Sequence, residues 1–141
     1  MQVAIIGGGV GGLGAACACA LRGLDVAVYE QAPALEEVGA GVQISANGWK
    51  VLDAIGVADI LSQTVFEPPT IELRLGRSGR RIWSLPIAQH SRAAFGAPYV
   101  HVHRADLVEA LADRLEQLSP GALRTGRRLL RYREDGRLDF E

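Results

Sequence analysis

Cysteine is scarce in this 141-residue chain, and its two copies are badly placed for the usual work of cysteine pairs. Cys17 and Cys19 stand two apart in Ala15-Ala16-Cys17-Ala18-Cys19-Ala20. On a helix that spacing sends their side chains to different sides, which suits neither a disulfide nor a shared metal. Both read as small core residues. Histidine is nearly as thin. His101 and His103 alternate onto one side of a strand, but no cysteine or carboxylate cluster accompanies them, which argues against a metal centre. Lysine is almost missing, Lys50 being the only one, and the net charge is −1, so no nucleic acid and no membrane surface is needed as a partner. No apolar run reaches the length of a bilayer span. No basic segment precedes the first apolar stretch as it would in a signal peptide, and a cytoplasmic protein is expected. Internal repeats and low-complexity tracts are absent too. At 48% hydrophobic and 22% charged residues, in a length typical of one domain, the chain can build a sizeable core.

What the chain has in quantity is glycine, and it is concentrated where a strand meets a helix. Val3-Ala4-Ile5-Ile6 has the length and branching of a buried parallel strand. It breaks at Gly7-Gly8-Gly9-Val10-Gly11-Gly12, which satisfies G-x-G-x-x-G at Gly7, Gly9 and Gly12. Gly7 permits the tight turn, Gly9 admits a pyrophosphate close to the backbone, and Gly12 lets helix and strand pack closely. The helix that starts here aims its free N–H groups and the positive end of its dipole at the phosphates, with no basic side chain required. Ala16 is small where the helix crosses the sheet. Gly23 ends the helix, and a second strand through Leu24, Val26 and Val28 delivers Glu30 to its C-terminal end. There a carboxylate can accept hydrogen bonds from adenosine ribose hydroxyls, and it disfavours a 2′-phosphate. The whole unit reads as a grip for an ADP moiety. On these residues alone FAD and NAD remain equal.

Further along, Gly39-Ala40-Gly41-Val42-Gln43-Ile44 is an extended segment whose glycines mark close backbone approach to a ligand. Ser45 is the expected N-cap of a helix through Asn47 to Ile55, with Val51, Leu52 and Ile55 as its apolar face, and a helical turn follows from Ala58 to Gln63. Ile71 to Leu75 and Arg81 to Leu85, joined by Gly76-Arg77-Ser78-Gly79, read as a hairpin covering something apolar. Gln89 to Pro98 reads as polar and irregular. Tyr99 to Leu107 is a short strand running into a helix, which places Arg104 at a ligand edge of an α/β sheet. The tail is a second hairpin, Leu129 to Arg133 and Leu138 to Glu141. Its basic residues Arg124, Arg127, Arg128, Arg131, Arg133 and Arg137 read as a solvated face.

Three separated blocks, Ile5 to Glu30, Gly39 to Asn47, and His103-Arg104-Ala105-Asp106-Leu107, resemble the single-component FAD-dependent aromatic hydroxylases of the salicylate hydroxylase and 3-hydroxybenzoate hydroxylase kind. The resemblance covers essentially the whole chain and favours FAD over NAD. It implies an α/β fold, a Rossmann-like FAD-binding domain of βαβ unit, parallel sheet and β-meander over residues 1–141, incomplete at the C-terminus. Residues of about 66–98 would begin an inserted substrate-domain sheet. The cofactor-binding residues it implies are Gly7, Gly9, Gly11, Gly12 and Leu13 at the pyrophosphate turn, Glu30 with Gln31 at the ribose, and Gly41 and Val42 near the flavin. Arg104 would meet the phosphate or ribityl region, and Leu129 would touch adenine through its backbone. NADPH or NADH would reduce the flavin, and O2 would supply the oxygen transferred to a small aromatic substrate.

The resemblance also implies what is not here. Family members continue with an Asp-Gly segment, a substrate sheet and a Gly-Asp-Ala segment at the ribityl chain. The chain looks like the first third of such an enzyme, to be joined by the missing C-terminal segment or by a homodimer partner. The alternative is a stand-alone or remnant FAD- or NAD-binding module without catalysis. No residue is identified as a catalytic acid or base.

Overall fold

The computed structural model describes residues 2–35 and 41–141. The glycine-rich unit folds as its pattern demands. Strand β1 (Gln2–Ile6) leads through the turn into helix α1 (Val10–Ala20) and back into β2 (Asp25–Tyr29), parallel to β1 with Val3 opposite Val26 and Ile5 opposite Val28. A parallel pair needs such a crossover. The chain continues through β3 (Gly41–Ile44), α2 (Ala46–Ala54), α3 (Ala58–Leu61), β4 (Ile71–Arg74), β5 (Arg81–Leu85) and α4 (Ile87–Phe95). It closes with β6 (Val100–His103), α5 (Arg104–Leu118), β7 (Leu123–Arg124), β8 (Leu129–Tyr132) and β9 (Leu138–Phe140). Strand β7 joins the first sheet parallel to β2, giving the order β1-β2-β7. Strands β3 and β6, β4 and β5, and β8 and β9 form three antiparallel pairs. None of the helices among the described residues is long and apolar enough to cross a membrane.

One core holds these pieces together. Leu13, Ala16 and Cys17 of α1, Val26 and Val28 of β2, and Leu107, Val108, Leu111 and Leu115 of α5 are all buried together, with Leu52, Val57 and Leu61 from the α2–α3 corner. Full burial of Leu-sized side chains contributes roughly 1.5–3 kcal/mol each. Cys17 donates its thiol to the Leu111 carbonyl at 3.5 Å, and burial pushes that thiol up from its ordinary pKa, so it is an inert core group. Cys19 is half-buried and free, packed against the edge of the same core.

Four expectations need correction. The stretch Gln89 to Pro98 is not irregular: α4 occupies it, started by Pro86, closed by a left-handed Gly96, and held by buried Ile87 and Ser91. Val51 is 57% exposed, so the inward face of α2 is Ala46 and Leu52, flanked by half-buried Trp49, with Ile55 beyond the helix end. Ser45 occupies the N-cap position without capping, because its hydroxyl donates to Asn47 Oδ1 and not to the helix backbone. Strand β1 is covered on one face only: half-buried Val3 and Ile5 turn inward toward α1 and the core, while Ile6 is 48% exposed.

The β4–β5 hairpin forms as expected, with Ile71 opposite Leu85 and Leu73 opposite Trp83. Its apolar face is open, however, Leu73 and Trp83 being 55% and 50% exposed. The other face is tied by Glu72, which accepts from both Arg74 and Arg81.

Two glycines of α1 should respond oppositely to alanine. A Cβ at Gly12 would lie 2.0 Å from the Gly7 carbonyl oxygen, whereas a Cβ at Gly14 meets nothing within 4 Å. Gly12→Ala should cost about 3 kcal/mol or more in urea unfolding, and Gly14→Ala should gain about 0.5–1 kcal/mol from helix propensity. Equal effects would refute the close packing assigned to Gly12.

Candidate functional site

The site is built where the C-terminal ends of β1 and β2 meet the start of α1. Gly7 has φ +103°, a conformation that L side chains rarely adopt, and its N–H donates to the Tyr29 carbonyl at 2.8 Å. Gly9 is the N-cap of α1, in extended conformation, and no side chain caps the helix. Leu13 N–H already donates to the Gly9 carbonyl at 2.9 Å, which begins the helical ladder and leaves the N–H groups of the preceding turn for a ligand. A Cβ at Gly9 or Gly11 would meet nothing within 4 Å, so the space above the turn is open to a phosphate.

Glu30 follows directly on β2 and closes over this turn. Gly8 N–H donates to Glu30 Oε2 at 2.6 Å and Ala32 N–H donates to Oε1 at 2.8 Å. Those bonds need the carboxylate form, and they hold its pKa below the usual glutamate range, Ala32 contributing most, then Gly8, against a smaller opposing effect of burial. Each oxygen keeps a further lone pair, so the carboxylate is oriented by the protein and still able to accept from two hydroxyls. Beside it is a cavity of about 300 Å3 lined by Ile6, Gly7, Tyr29, Glu30, Gln31, Arg127, Arg128 and Leu129. Its outer wall comes from the tail hairpin. Phe140 of β9 stacks on Tyr29 with ring centroids 4.3 Å apart, and Arg124 lies over the same ring at 5.4 Å while donating to its hydroxyl.

A second, more apolar groove of about 540 Å3 runs along α1. Val10, Gly11, Gly14, Ala15 and Ala18 line it on one side, with Val42 to Ser45 and α2 on the other. Gly41 begins β3 opposite His103, which puts it beside the start of α5, whose first residue is Arg104. Gly39 and Ala40 lie outside the described residues. Among the described residues no group of three or more His, Cys, Asp or Glu could hold a metal ion.

Comparison with known proteins fits this geometry. Residues 5–35 match the family model described as an NAD(P)-binding Rossmann-like domain. The 3-amino-4-hydroxybenzoate 2-monooxygenase of Streptomyces cremeus is 38% identical over 134 residues, 95% of this chain and 33% of that protein. The 3-hydroxybenzoate 6-hydroxylase 1 of Aquipseudomonas alcaligenes is 35% identical over 131 residues, 93% of this chain and 33% of that protein. Among solved structures, the tetrameric form of 2-methyl-3-hydroxypyridine-5-carboxylic acid oxygenase matches with a TM-score of 0.84 at 28% identity, covering 99% of this chain and 35% of its own. Klebsiella pneumoniae HpxO complexed with FAD and uric acid matches with a TM-score of 0.76 at 27% identity, covering 99% and 37%.

The chain is a homologue of the N-terminal third of the flavin-dependent aromatic hydroxylases. It spans about a third of the length of these relatives. The residues singled out from sequence fall into three places. Gly7, Glu30, Gln31 and Leu129 share the 300 Å3 cavity, Gly11 and Val42 share the groove along α1, and Gly41 stands at the His103 end of β3. Gly9 and Gly12 shape the turn between them. Leu13 is fully buried, so any part it plays at the pyrophosphate is through its backbone and the core.

Sequence reasoning missed Arg127 and Arg128. Both are solvent-exposed, as expected of a wet face, but they precede β8 and also line the cavity beside Glu30. The signal was Gly126, whose φ of +63° breaks the strand pattern and turns the next residues back toward β2.

The depressed pKa of Glu30 gives a test with a definite sign. Its bonds stabilise the turn above the ordinary glutamate value of about 4.3 and are lost as pH falls through the lower folded-state value. The amide resonances of Gly8 and Ala32 should therefore titrate together with one midpoint below about 4.3. Glu30→Gln should abolish that titration. A midpoint above the ordinary value would remove the assigned bonds.

Proposed function

We propose that the chain is the FAD-binding portion of an NADH- or NADPH- and O2-dependent monooxygenase that hydroxylates a small aromatic substrate in the cytoplasm. The observation that carries this reading is the pairing of an uncapped, open helix turn at Gly9 to Gly12 with the oriented carboxylate of Glu30 on one cavity edge. That arrangement fits the ADP half of FAD: free N–H groups for the pyrophosphate, a carboxylate for the ribose hydroxyls, and the cavity bounded by Leu129 for adenine. The relatives supply the flavin half of the argument, since HpxO holds FAD and the hydroxybenzoate hydroxylases act on aromatic rings. When bound, FAD would supply the redox chemistry in which two electrons from NADH or NADPH and one O2 yield one hydroxyl group on the ring and one water.

This chain's own residues position and shield. Gly9 and Gly11 let the phosphates approach, and Glu30 excludes a ribose bearing a 2′-phosphate by charge. Val42 and the apolar groove along α1 offer a wall toward the flavin end, with Gly41 and Arg104 at the junction of β3 and α5. The β4–β5 hairpin, within residues of about 66–98, opens the substrate-facing sheet, a reading supported by its amphipathic pairing and its uncovered apolar face. The rest of that wall would come from a segment corresponding to the other two thirds of the relatives, or from a second copy of the chain. A second reading, a dinucleotide-binding module without catalysis, is favoured by one observation: the glycine turn, the oriented Glu30 carboxylate and the cavity beside it are all built from residues 6 to 129.

Titrating the purified chain with FAD separates these from no binding at all. FAD should bind and FMN, which lacks the adenosine, should bind far more weakly. Glu30→Ala should cost about 1–3 kcal/mol of FAD affinity by leaving the Gly8 and Ala32 donors and the ribose hydroxyls unpaired. Substrate-stimulated NADH or NADPH oxidation with a phenolic acid, by the chain alone or joined to a relative's remaining segment, marks the monooxygenase. Affinity for FMN equal to that for FAD would refute the adenosine site.

A further inference from the structure

Arg127 brings to the adenosine cavity a guanidinium that the fold itself does not employ. Its neighbours are engaged: Arg124 donates to the Tyr29 hydroxyl and lies over that ring, and Arg128 pairs with Glu141 at 3.4 Å. The Arg127 side chain has no hydrogen bond or ion pair among the described residues, although it lines the cavity. Its backbone, by contrast, is fixed. Glu30 N–H donates to the Arg124 carbonyl at 2.9 Å, Gly126 N–H to the Ala32 carbonyl at 2.8 Å and Arg127 N–H to the Glu30 carbonyl at 2.8 Å. The residue whose carboxylate is oriented for the ribose is thus the one to which Arg127 is tied.

A flat cationic group carried on a fixed backbone at this cavity, whose apolar lining is Ile6, Tyr29 and Leu129 beside the polar Glu30, Gln31 and Arg128, suits one kind of ligand surface. A purine face is planar and π-rich, and guanidinium groups stack on such faces through cation–π and dispersion attraction. The competing role, a salt bridge to a phosphate, is already provided for by the uncapped turn at Gly9 to Gly12. We propose that Arg127 stacks its guanidinium on the adenine ring of the bound dinucleotide and so selects a purine base at this end of the cavity. The inference rests on the ADP-binding reading of the site and adds the residue that reads the base.

Calorimetric titration of the full chain with ADP and with UDP tests it, using the unaltered chain, Arg127→Ala and Arg131→Ala. Arg131 is an exposed residue of β8 outside the cavity and controls for loss of one positive charge. Arg127→Ala should weaken ADP roughly 3- to 30-fold, the range expected for one desolvated cation–π contact, and should weaken UDP at least threefold less. Arg131→Ala should leave both within about twofold, and all three chains should share one thermal midpoint because Arg127 is exposed. Unchanged ADP affinity in Arg127→Ala, or equal losses for ADP and UDP, would overturn the stacking role while leaving the site intact. Failure of the folded, unaltered chain to bind ADP would overturn the dinucleotide site itself.

Discussion

The contact on which the rest of the structure depends is the approach of Gly12 to the carbonyl of Gly7. There is no room for a single methyl group between them, since a Cβ would stand 2.0 Å from the oxygen. This closeness brings the first turn of α1 down onto the ends of β1 and β2. It also sets Gly8 where its N–H reaches Glu30, 22 residues away, at 2.6 Å. Moving α1 outward by even part of an ångström-scale step would unpack Leu13, Ala16 and Cys17 from α5 and loosen the Glu30 bond together. Core packing and ligand geometry are therefore one constraint, which explains why the turn is glycine where neither flexibility nor exposure asks for it.

The electrostatics of the site follow from the same contact. An anion arriving at the turn meets backbone donors and the helix dipole, with the Glu30 carboxylate close by. Two N–H bonds to that carboxylate, from Ala32 and Gly8, hold it charged. Arg127 and Arg128 line the cavity beside Glu30, so the negative charge lies close to both a donor-rich turn and a basic edge.

Much of this was legible in the sequence because each feature has a local cause. The strand–turn–helix–strand unit, the position of Glu30, and the junction of β6 with α5 at Arg104 all follow from glycine spacing and hydrophobic period. What escaped depends on contacts far apart in the chain. Helix α4 is short and has little apolar content, and its punctuation by Pro86 and Gly96 gains meaning only once Ile87 and Ser91 are buried. The open face of β1 could not be read from Val3-Ala4-Ile5-Ile6, because the same run serves a strand covered on one face or on two. The cavity role of Arg127 and Arg128 was hidden for a related reason: both are exposed, as a wet face requires, and only the long-range bonds from Gly126 to Ala32 and from Arg127 to Glu30 bring them to the cavity.

The hairpin β4–β5 shows how local pairing and tertiary coverage separate. Its register is fixed by Ile71 with Leu85 and Leu73 with Trp83, and its charged face is closed by Glu72 between two arginines. Exposed ion pairs of this kind add little stability, and two isolated strands are marginal in water. Yet apolar side chains of Leu73, Ile82 and Trp83 remain half open to solvent. A hairpin kept amphipathic without anything on its apolar face is costly as a surface and economical as one half of an interface. The same holds for the groove along α1, where Gly11, Gly14, Ala15 and Ala18 leave a channel with almost no side chains on one wall. The cavity beside Glu30 differs: its lining, from Ile6 to Leu129, includes one oriented carboxylate and two arginines, so it offers fixed polar partners where the groove and the hairpin offer apolar surface.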